Sequence, residues 1–491
     1  MADTPRAYRD LREFISFLEG RGQLKRISAP VSWDLEITEV TDRTVKSGGP
    51  ALLFENVEGY DVPLLINTFG NAERAGWALG VDNLDDLQGR VEETLKLTQG
   101  PPSGFVNKLR MLGDLARLAR IGPSVSEEPA SQQIVAIGDE VDLFQLPVLR
   151  CWPEDAGRYI TLPLVITKDP DSGVHNLGMY RMQVFDRNTT GMHWQTHKVA
   201  THHQRIEAER GSERMEVAVA LGADPATIWS GSAPLPPDVS EYLLAGFLRG
   251  KPVAVTKGIT VDIDVPAEAE YVLEGYVDPT ETRTEGPFGD HTGYYSMDSA
   301  YPVFHVTAIT RRRDPIYPTI VVGRPVQEDY WMGKATERMF LPLMRMMLPE
   351  LVDVNMPAEG IFHNLVIVSI KKEYPGHAQK VAYGLWGLGL MMLARAIIVV
   401  DHDVDVQDPS QVAWRVANNI DGRRDVFFVD GPVDDLDVGS PTPKYGSKIG
   451  VDATRKTAGE LRDGKRWMPD IEMTPEIKAL VDRRWAEYGI S

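Results

Sequence analysis

Two carboxylates five positions apart, Glu285 and Asp290, are separated by Gly-Pro-Phe-Gly and followed at once by His291. A helix cannot hold that spacer. Proline lacks the amide hydrogen and the glycines give up side-chain packing, so a turn-rich loop is expected. Such a loop can turn both acids toward one small space, where two like charges resist being ionised together. One carboxyl is then expected to keep a proton near neutral pH, the state that acid–base work requires. The competing reading is a surface turn with solvated acids. Phe288, Tyr294 and Tyr295 argue against it, because aromatic side chains are costly to leave in water. The segment reads as one wall of a pocket.

Three polar signals lie upstream. Asn176-Leu-Gly-Met-Tyr-Arg181 reads as a strand, and residues five apart on a regular strand point to opposite faces unless a bulge near Gly178 re-aims one. Gly191-Met-His-Trp-Gln-Thr-His197-Lys198 follows, and then Pro236-Pro-Asp-Val-Ser-Glu241 ahead of an apolar helix, Tyr242–Leu248. Each has an ordinary explanation. Asp238 and Glu241 have capping-box spacing, and His197 fits a packed imidazole. Together, the amide oxygen of Asn176, the imidazole of His197 and the carboxylate of Glu241 make a set suited to Mn²⁺ or Mg²⁺, completed by phosphate oxygens. Zinc is disfavoured, since no thiolate or histidine pair at ligand spacing accompanies them. The acidic run Asp401–Asp405 reads as strand-end acids feeding a helix cap rather than a metal site. The single cysteine, Cys151, reads as a small buried residue rather than a nucleophile.

These residues need elements to position them. At the start, Leu11, Phe14, Ile15 and Leu18 fall at helical spacing, and Gly20 and Gly22 end that helix. Strand-like runs follow at Ala51–Phe54 and Pro63–Ile66, then helical patterns through Leu79, Leu84–Leu97 and Val106–Arg120, with a turn-rich stretch over Thr98–Gly104. A first α/β unit over 1–125 is expected. From Gln133 the texture becomes short β runs: Ile134–Ile137, Leu162–Thr167, Asn176–Phe185, Val217–Leu221 and Val253–Thr260. A β-rich, barrel-like unit over 126–325 fits them. Beyond it, Thr319–Val322, Leu365–Ile370, Ala396–Val400 and Val426–Val429 read as strands alternating with helices. Asp408-Pro-Ser-Gln411 starts one helix, with capping-box spacing and proline at its first position. A parallel sheet covered by helices is expected over 326–491.

The totals agree with an enzyme of small molecules. The chain has 491 residues, 43% of them hydrophobic, enough for more than one core. A net charge of -19 disfavours nucleic acid and anionic membrane as partners. One cysteine excludes an internal disulfide and points to a cytoplasmic setting. The first residues lack the apolar stretch of a secretory leader, and no run is long and apolar enough for a transmembrane segment. The apolar face of Ile477, Leu480, Val481 and Trp485 in a closing helix calls for a covering partner, and a homo-oligomer is expected.

Several of these motifs, in order, resemble the UbiD family of decarboxylases. They are Asn176…Arg181, His197-Lys198, Ser240-Glu241 and Glu285-Gly-Pro-Phe-Gly-Asp290, with Asp10-Leu-Arg-Glu-Phe14, Gly48–Asn56, Gly446–Thr454 and Trp467–Ile471. The resemblance implies an N-terminal α/β domain, a split-barrel flavin domain and a C-terminal oligomerisation domain, assembled as a homodimer or homohexamer. It implies a reversible, non-oxidative decarboxylase using prenylated FMN, supplied by a flavin prenyltransferase, with Mn²⁺ (or Mg²⁺) and K⁺. On this likeness Asn176, His197 and Glu241 fall on the metal ligands. Lys198, Arg395 and Arg181 fall on cofactor contacts, and Arg181, Glu285 and Asp290 on the catalytic set. Many members carry Glu where this chain has Asp290. The substrate implied is an aromatic acid, of hydroxybenzoate or fused-ring type, released as CO₂ and arene. An α,β-unsaturated (acrylic) acid is the alternative. An FMN oxidoreductase on the same barrel is disfavoured, since no Gly-x-Gly-x-x-Gly fingerprint with a following acid appears.

Overall fold

The computed structural model describes residues 6–98, 120–196, 198–461 and 466–490. The expected turn over 99–104, the helix Val106–Arg120 (Arg120 apart) and His197 lie outside these ranges. The first helix is Leu11–Gly20. Asp10 accepts the Glu13 N–H at 2.9 Å to cap it, and its periodic Leu11, Phe14, Ile15 and Leu18 are buried. Three short strands follow, Leu24–Ile27, Ala51–Phe54 and Leu64–Ile66. A strand from far along the chain, Tyr317–Pro318, completes their sheet beside Leu64–Leu65. The expected strand Thr319–Val322 therefore starts too late. After Thr319 the backbone leaves the sheet because the Thr161 hydroxyl takes over, accepting the Ile320 N–H at 3.2 Å.

The centre of the molecule is a nine-stranded sheet. It runs from Arg158–Ile160 through Met182–Val184, Thr189–Gly191, Ser299–Arg311, Tyr271–Glu285, Met215–Leu221 and Leu164–Lys168 to His175–Gly178, with Ile134–Ile137 paired on Ser299–Arg311. All named pairings are antiparallel, and the two end strands do not join, so the sheet is an open half-barrel. Alternation in Met215–Leu221 explains how it is covered. Val217, Val219 and Leu221 enter one core, while Ala218 and Ala220 enter another. The small alanines let the helices Pro225–Ser230 and Glu241–Arg249 lie close, with Ile228, Trp229, Ala245 and Leu248 in the same core. Among the described residues a third α-helix, Val199–Glu209, joins those two in this β-rich region, where the sequence marked only Tyr242–Leu248.

The third sheet has the order Leu351–Asn355, Leu365–Ile370, Ala396–Asp401, Tyr445–Asp452, Val426–Pro432. Its middle three strands are parallel, but both edge strands are antiparallel, a mixed sheet rather than the parallel one expected. Helix Pro409–Asn419 starts as its sequence implies, with Asp408 accepting the Ser410 N–H at 2.9 Å. The 20-residue helix Glu328–Met347 ties this sheet to the rest; the Trp229 indole donates to the Met332 carbonyl at 3.0 Å. The closing helix Pro475–Arg484 has no buried residue, and Ile477 and Leu480 are exposed. No helix among the described residues is long and apolar enough to cross a membrane.

Candidate active site

Glu285 is the last residue of the strand Tyr271–Glu285, and the loop after it is shaped by its neighbours. Gly286 has φ +100, and a Cβ there would lie 3.2 Å from the Met297 carbonyl and the Asp298 backbone. At Gly289 a Cβ would collide with the Trp152 ring at 2.2 Å. Two side chains tie down its amides: Gln183 accepts the Gly286 N–H at 2.9 Å and Asp155 accepts the Gly289 N–H at 2.7 Å. Asp155 also accepts the amides of Cys151 and Trp152, so the Cys151–Asp155 turn braces the loop. Cys151 itself is buried, as expected, and burial pushes its thiol up, away from the reactive thiolate.

Arg181 enters between the two acids. The expected single strand Asn176–Phe185 is in fact two, His175–Gly178 and Met182–Val184, because the Tyr180 ring occupies the space a Gly178 Cβ would fill. The break frees Arg181 from the strand alternation. Its Nε donates to Glu285 Oε1 at 2.8 Å and its Nη2 to Oε2 at 3.0 Å, a bidentate fork. Nη1 donates to Asp290 Oδ2, and Nη2 also reaches Ser296 Oγ at 3.0 Å. Among the described residues, four of the five guanidinium N–H groups are so engaged. Below lies the buried Phe288 ring, 4.7 Å from the guanidinium carbon.

The electrostatics differ from the sequence expectation. Glu285 is fully buried, which works against its charge, yet hydrogen bonds from His193 and Arg181 outweigh burial and hold it below the usual carboxylate range. Burial likewise opposes the charge on Asp290, and Arg181 and then His291 overcome it, so its carboxyl is also held low. Neither acid keeps the resting proton. The expectation failed because it weighed two acids against each other without the cation that separates them. His291 is raised: burial opposes its charge, but the hydrogen bond to Asp290 overcomes it, and burial raises the nearby carboxyls of Asp155 and, to about 7, Asp329.

The proposed metal set is partly described. Asn176 sits buried in the strand His175–Gly178, with its side chain beside the Tyr180 hydroxyl. Glu241 opens its helix, but the cap is Ser240 rather than Asp238, accepting the Tyr242 N–H at 3.4 Å. The Glu241 carboxylate instead reaches the neighbouring strand and accepts the Leu177 N–H at 2.7 Å. Burial pushes it up to about 7, and among the described residues no cation is paired with it. The uncompensated buried carboxylate of Glu241 is a hard oxygen donor that fits a divalent ion, and Asn176, one residue from the Leu177 amide it accepts, could offer an amide oxygen beside it. Lys198 stands at the start of the helix Val199–Glu209, where burial lowers its ammonium. Arg395 stands just before the strand Ala396–Asp401, bound to Asp437 at 2.6 Å. The acidic run is structural, as expected: Arg455 bridges to Asp403 at 2.9 and 2.6 Å, and its N–H reaches Asp401 at 2.8 Å.

Four contributors escaped the motif reading. His193 lies with Nδ1 3.2 Å from Glu285 Oε2 and its ring centroid 4.3 Å from that of Tyr301. Gln183 and Asp155 shape the loop, and His363 approaches from the third sheet. The Gly191–Lys198 motif contained His193 and was the one available signal; the others carried none.

Models of 3-octaprenyl-4-hydroxybenzoate carboxy-lyase match the chain three times: its N-terminal domain at residues 15–93, its Rift-related domain at 124–325 and its C-terminal domain at 330–453. The chain belongs to the UbiD family and is a decarboxylase of that family. An uncharacterized protein of Archaeoglobus fulgidus is 50% identical over 98% of both chains. Vanillic acid decarboxylase of Sedimentibacter hydroxybenzoicus, in closed form, aligns with a TM-score of 0.86 at 26% identity, covering 98% of this chain and 100% of that one. An evolved dimeric form of HmfF from Pelotomaculum thermopropionicum, in complex with prenylated FMN, aligns with a TM-score of 0.76 at 28% identity, covering 96% and 98%.

Proposed function

We propose that this decarboxylase removes CO₂, reversibly and without net oxidation, from an aromatic carboxylic acid of hydroxybenzoate or fused-ring type, with prenylated FMN as cofactor. The Arg181 fork carries the reading. It holds two buried carboxylates ionised at one point. Similarity to the vanillic acid decarboxylase and to the prenylated-FMN-bound HmfF supports the substrate class and cofactor. When bound, the modified flavin supplies the electron sink that side chains lack. Asn176, His197 and Glu241 would hold Mn²⁺ or Mg²⁺ against its phosphate, with Lys198 and Arg395 as further cofactor contacts and K⁺ alongside. Arg181 orients the substrate carboxylate, Glu285 stays charged beside it, and Asp290 returns a proton to the vacated carbon. Burial of all three keeps bulk water from the reacting carbon. The division into 1–125, 126–325 and 326–491 and a cytoplasmic setting belong to the same proposal.

Protein made without a flavin prenyltransferase is expected to fold but release no CO₂ from aryl acids, and co-expression to restore release with solvent deuterium in the product. Full activity in cells lacking any such transferase would overturn the cofactor assignment. In light scattering, the exposed face of Pro475–Arg484 predicts a multiple of the 54.6 kDa chain mass, and a stable monomer would contradict it.

Glu241→Ala tests the metal set. Removing the carboxylate takes one anionic ligand from the site, so both flavin and divalent metal per protein are expected to fall about 10–100-fold in affinity. Normal flavin and metal content would return Glu241 to a helix-entry role.

A further inference from the structure

Hydrogen bonds continue past Asp290 through two imidazoles. His291 Nδ1 lies 2.7 Å from Asp290 Oδ1, and His291 Nε2 lies 2.9 Å from Nε2 of His363. The histidines come from different sheets. His363 stands just before the strand Leu365–Ile370, at the end of a tight turn in which Ile361 and Phe362 both take left-handed φ, +48 and +47. That conformation is uncommon for bulky side chains and persists only where the surroundings hold it. Gly360 is obligatory in this turn, since a Cβ would lie 2.3 Å from that of Leu365. The turn delivers the His363 ring to His291 and stacks Phe362 beside it, with ring centroids 5.4 Å apart.

An Nε2···Nε2 contact of this length needs one proton between the rings. His291 donates Nδ1–H to Asp290, so a second proton on Nε2 makes it an imidazolium and His363 its acceptor, with the His363 proton on Nδ1. The charges facing His291 favour that arrangement. Asp290 on its own loop and Asp434 on the segment after Val426–Pro432 are both held low, with His363 opposite, while Asp329 on the helix Glu328–Met347, pushed up to about 7 by burial, adds its charge only above that. The charges facing His363 are His291, Asp434, Lys198 and Asp290; burial, then His291, pushes it down. His363 Nδ1 is buried with no partner. Asp290, held as a carboxylate by Arg181, has no proton of its own at rest.

We propose that His291 is the proton store of the decarboxylation and that His363 is the positioning residue that keeps it loaded. The inference rests on the decarboxylase reading above. As CO₂ leaves, the Nδ1–H bond of His291 breaks and an Oδ1–H bond forms on Asp290. That O–H then breaks as the electron pair left on carbon takes the proton and a C–H bond forms. His291 ends neutral with Nε2–H still on His363, and water reloads Nδ1 after product leaves.

The sign of the pH effect follows. The stored proton is present below the pKa of His291 and lost as pH rises through it, so kcat falls on an alkaline limb. Without an acceptor the buried Nε2–H of the imidazolium is left unpaired, which disfavours the charged form. His363→Leu is therefore expected to move that limb to lower pH by about one unit or more. His363→Gln, whose amide oxygen reaches the position of Nε2 and can accept the same hydrogen bond, should restore it. Infrared titration of ¹³C-histidine protein, without flavin or substrate, should show the same shift in the imidazolium band for His363→Leu and its recovery in His363→Gln. An unshifted band and limb in His363→Leu, or no recovery in His363→Gln, would overturn the proposal. Absence of CO₂ release from wild type loaded with prenylated FMN would instead overturn the decarboxylase reading, and the infrared titration still judges the pair by itself.

Discussion

Glu285→Gln is expected to take up flavin in wild-type proportion and to turn over about 10²–10³-fold more slowly, because the fixed charge that holds Arg181 at the reacting carboxylate is lost. The substitution keeps the size of a side chain that has no exposed surface and no room for a different one. It removes the charge. In the wild type both Glu285 oxygens accept from Arg181, and one also meets His193. The amide NH₂ of glutamine must face a donor on one of those sides, so one charge-assisted bond is lost while the Arg181–Asp290 bond survives. Folding and flavin binding are thus spared more than chemistry. The decisive measurement is single-turnover CO₂ release at equal flavin content. Because Glu285 is held below the usual carboxylate range, the wild-type rate should persist as pH falls to that range and drop only beneath it. A Glu285→Gln rate equal to wild type would leave this residue a wall of the site rather than the charge that sets Arg181.

The chain shows its local devices plainly. Asp408 caps its helix where its spacing says it must, and the periodic Leu11, Phe14, Ile15 and Leu18 go inside. The Glu285–Asp290 loop is legible for the same reason, since glycine and proline leave few conformations open. What the sequence hides is long-range. Arg181 and Glu285 are 104 positions apart, and His291 and His363 are 72 apart. Nothing local marks Gln183 or Asp155 as the groups that accept the loop amides. The protonation of the acids was misjudged on the same account, because it depends on a cation whose arrival is decided by a strand break at Gly178. The mixed third sheet is a further case: strand direction at its edges depends on connections, not on the apolar runs themselves.

Arg181→Met should produce the largest loss of stability of any single change at the site. The guanidinium is nearly buried between two buried carboxylates, so its removal strands their charges in a place water does not reach. Breaking a buried pair in this way costs about 3–5 kcal/mol at pH 7. The pH dependence identifies the cause. In the wild type both carboxyls lie below their unfolded value, so their contribution is fully present above about pH 4 and is lost as pH falls through the folded values. Without Arg181 burial raises them instead, most of all Glu285, which keeps only His193 while Asp290 keeps His291. The variant then takes up protons on folding and gains stability as pH falls from 7. Its deficit against wild type should therefore shrink steadily toward pH 4.5 in chemical denaturation followed by near-ultraviolet circular dichroism. Arg181→Lys separates charge from geometry. A single ammonium cannot span both acids as the fork does, so much of the stability should return while decarboxylation stays low. A deficit in Arg181→Met that is the same at pH 7 and pH 4.5 would trace the loss to packing against Phe288 rather than to the stranded carboxylates.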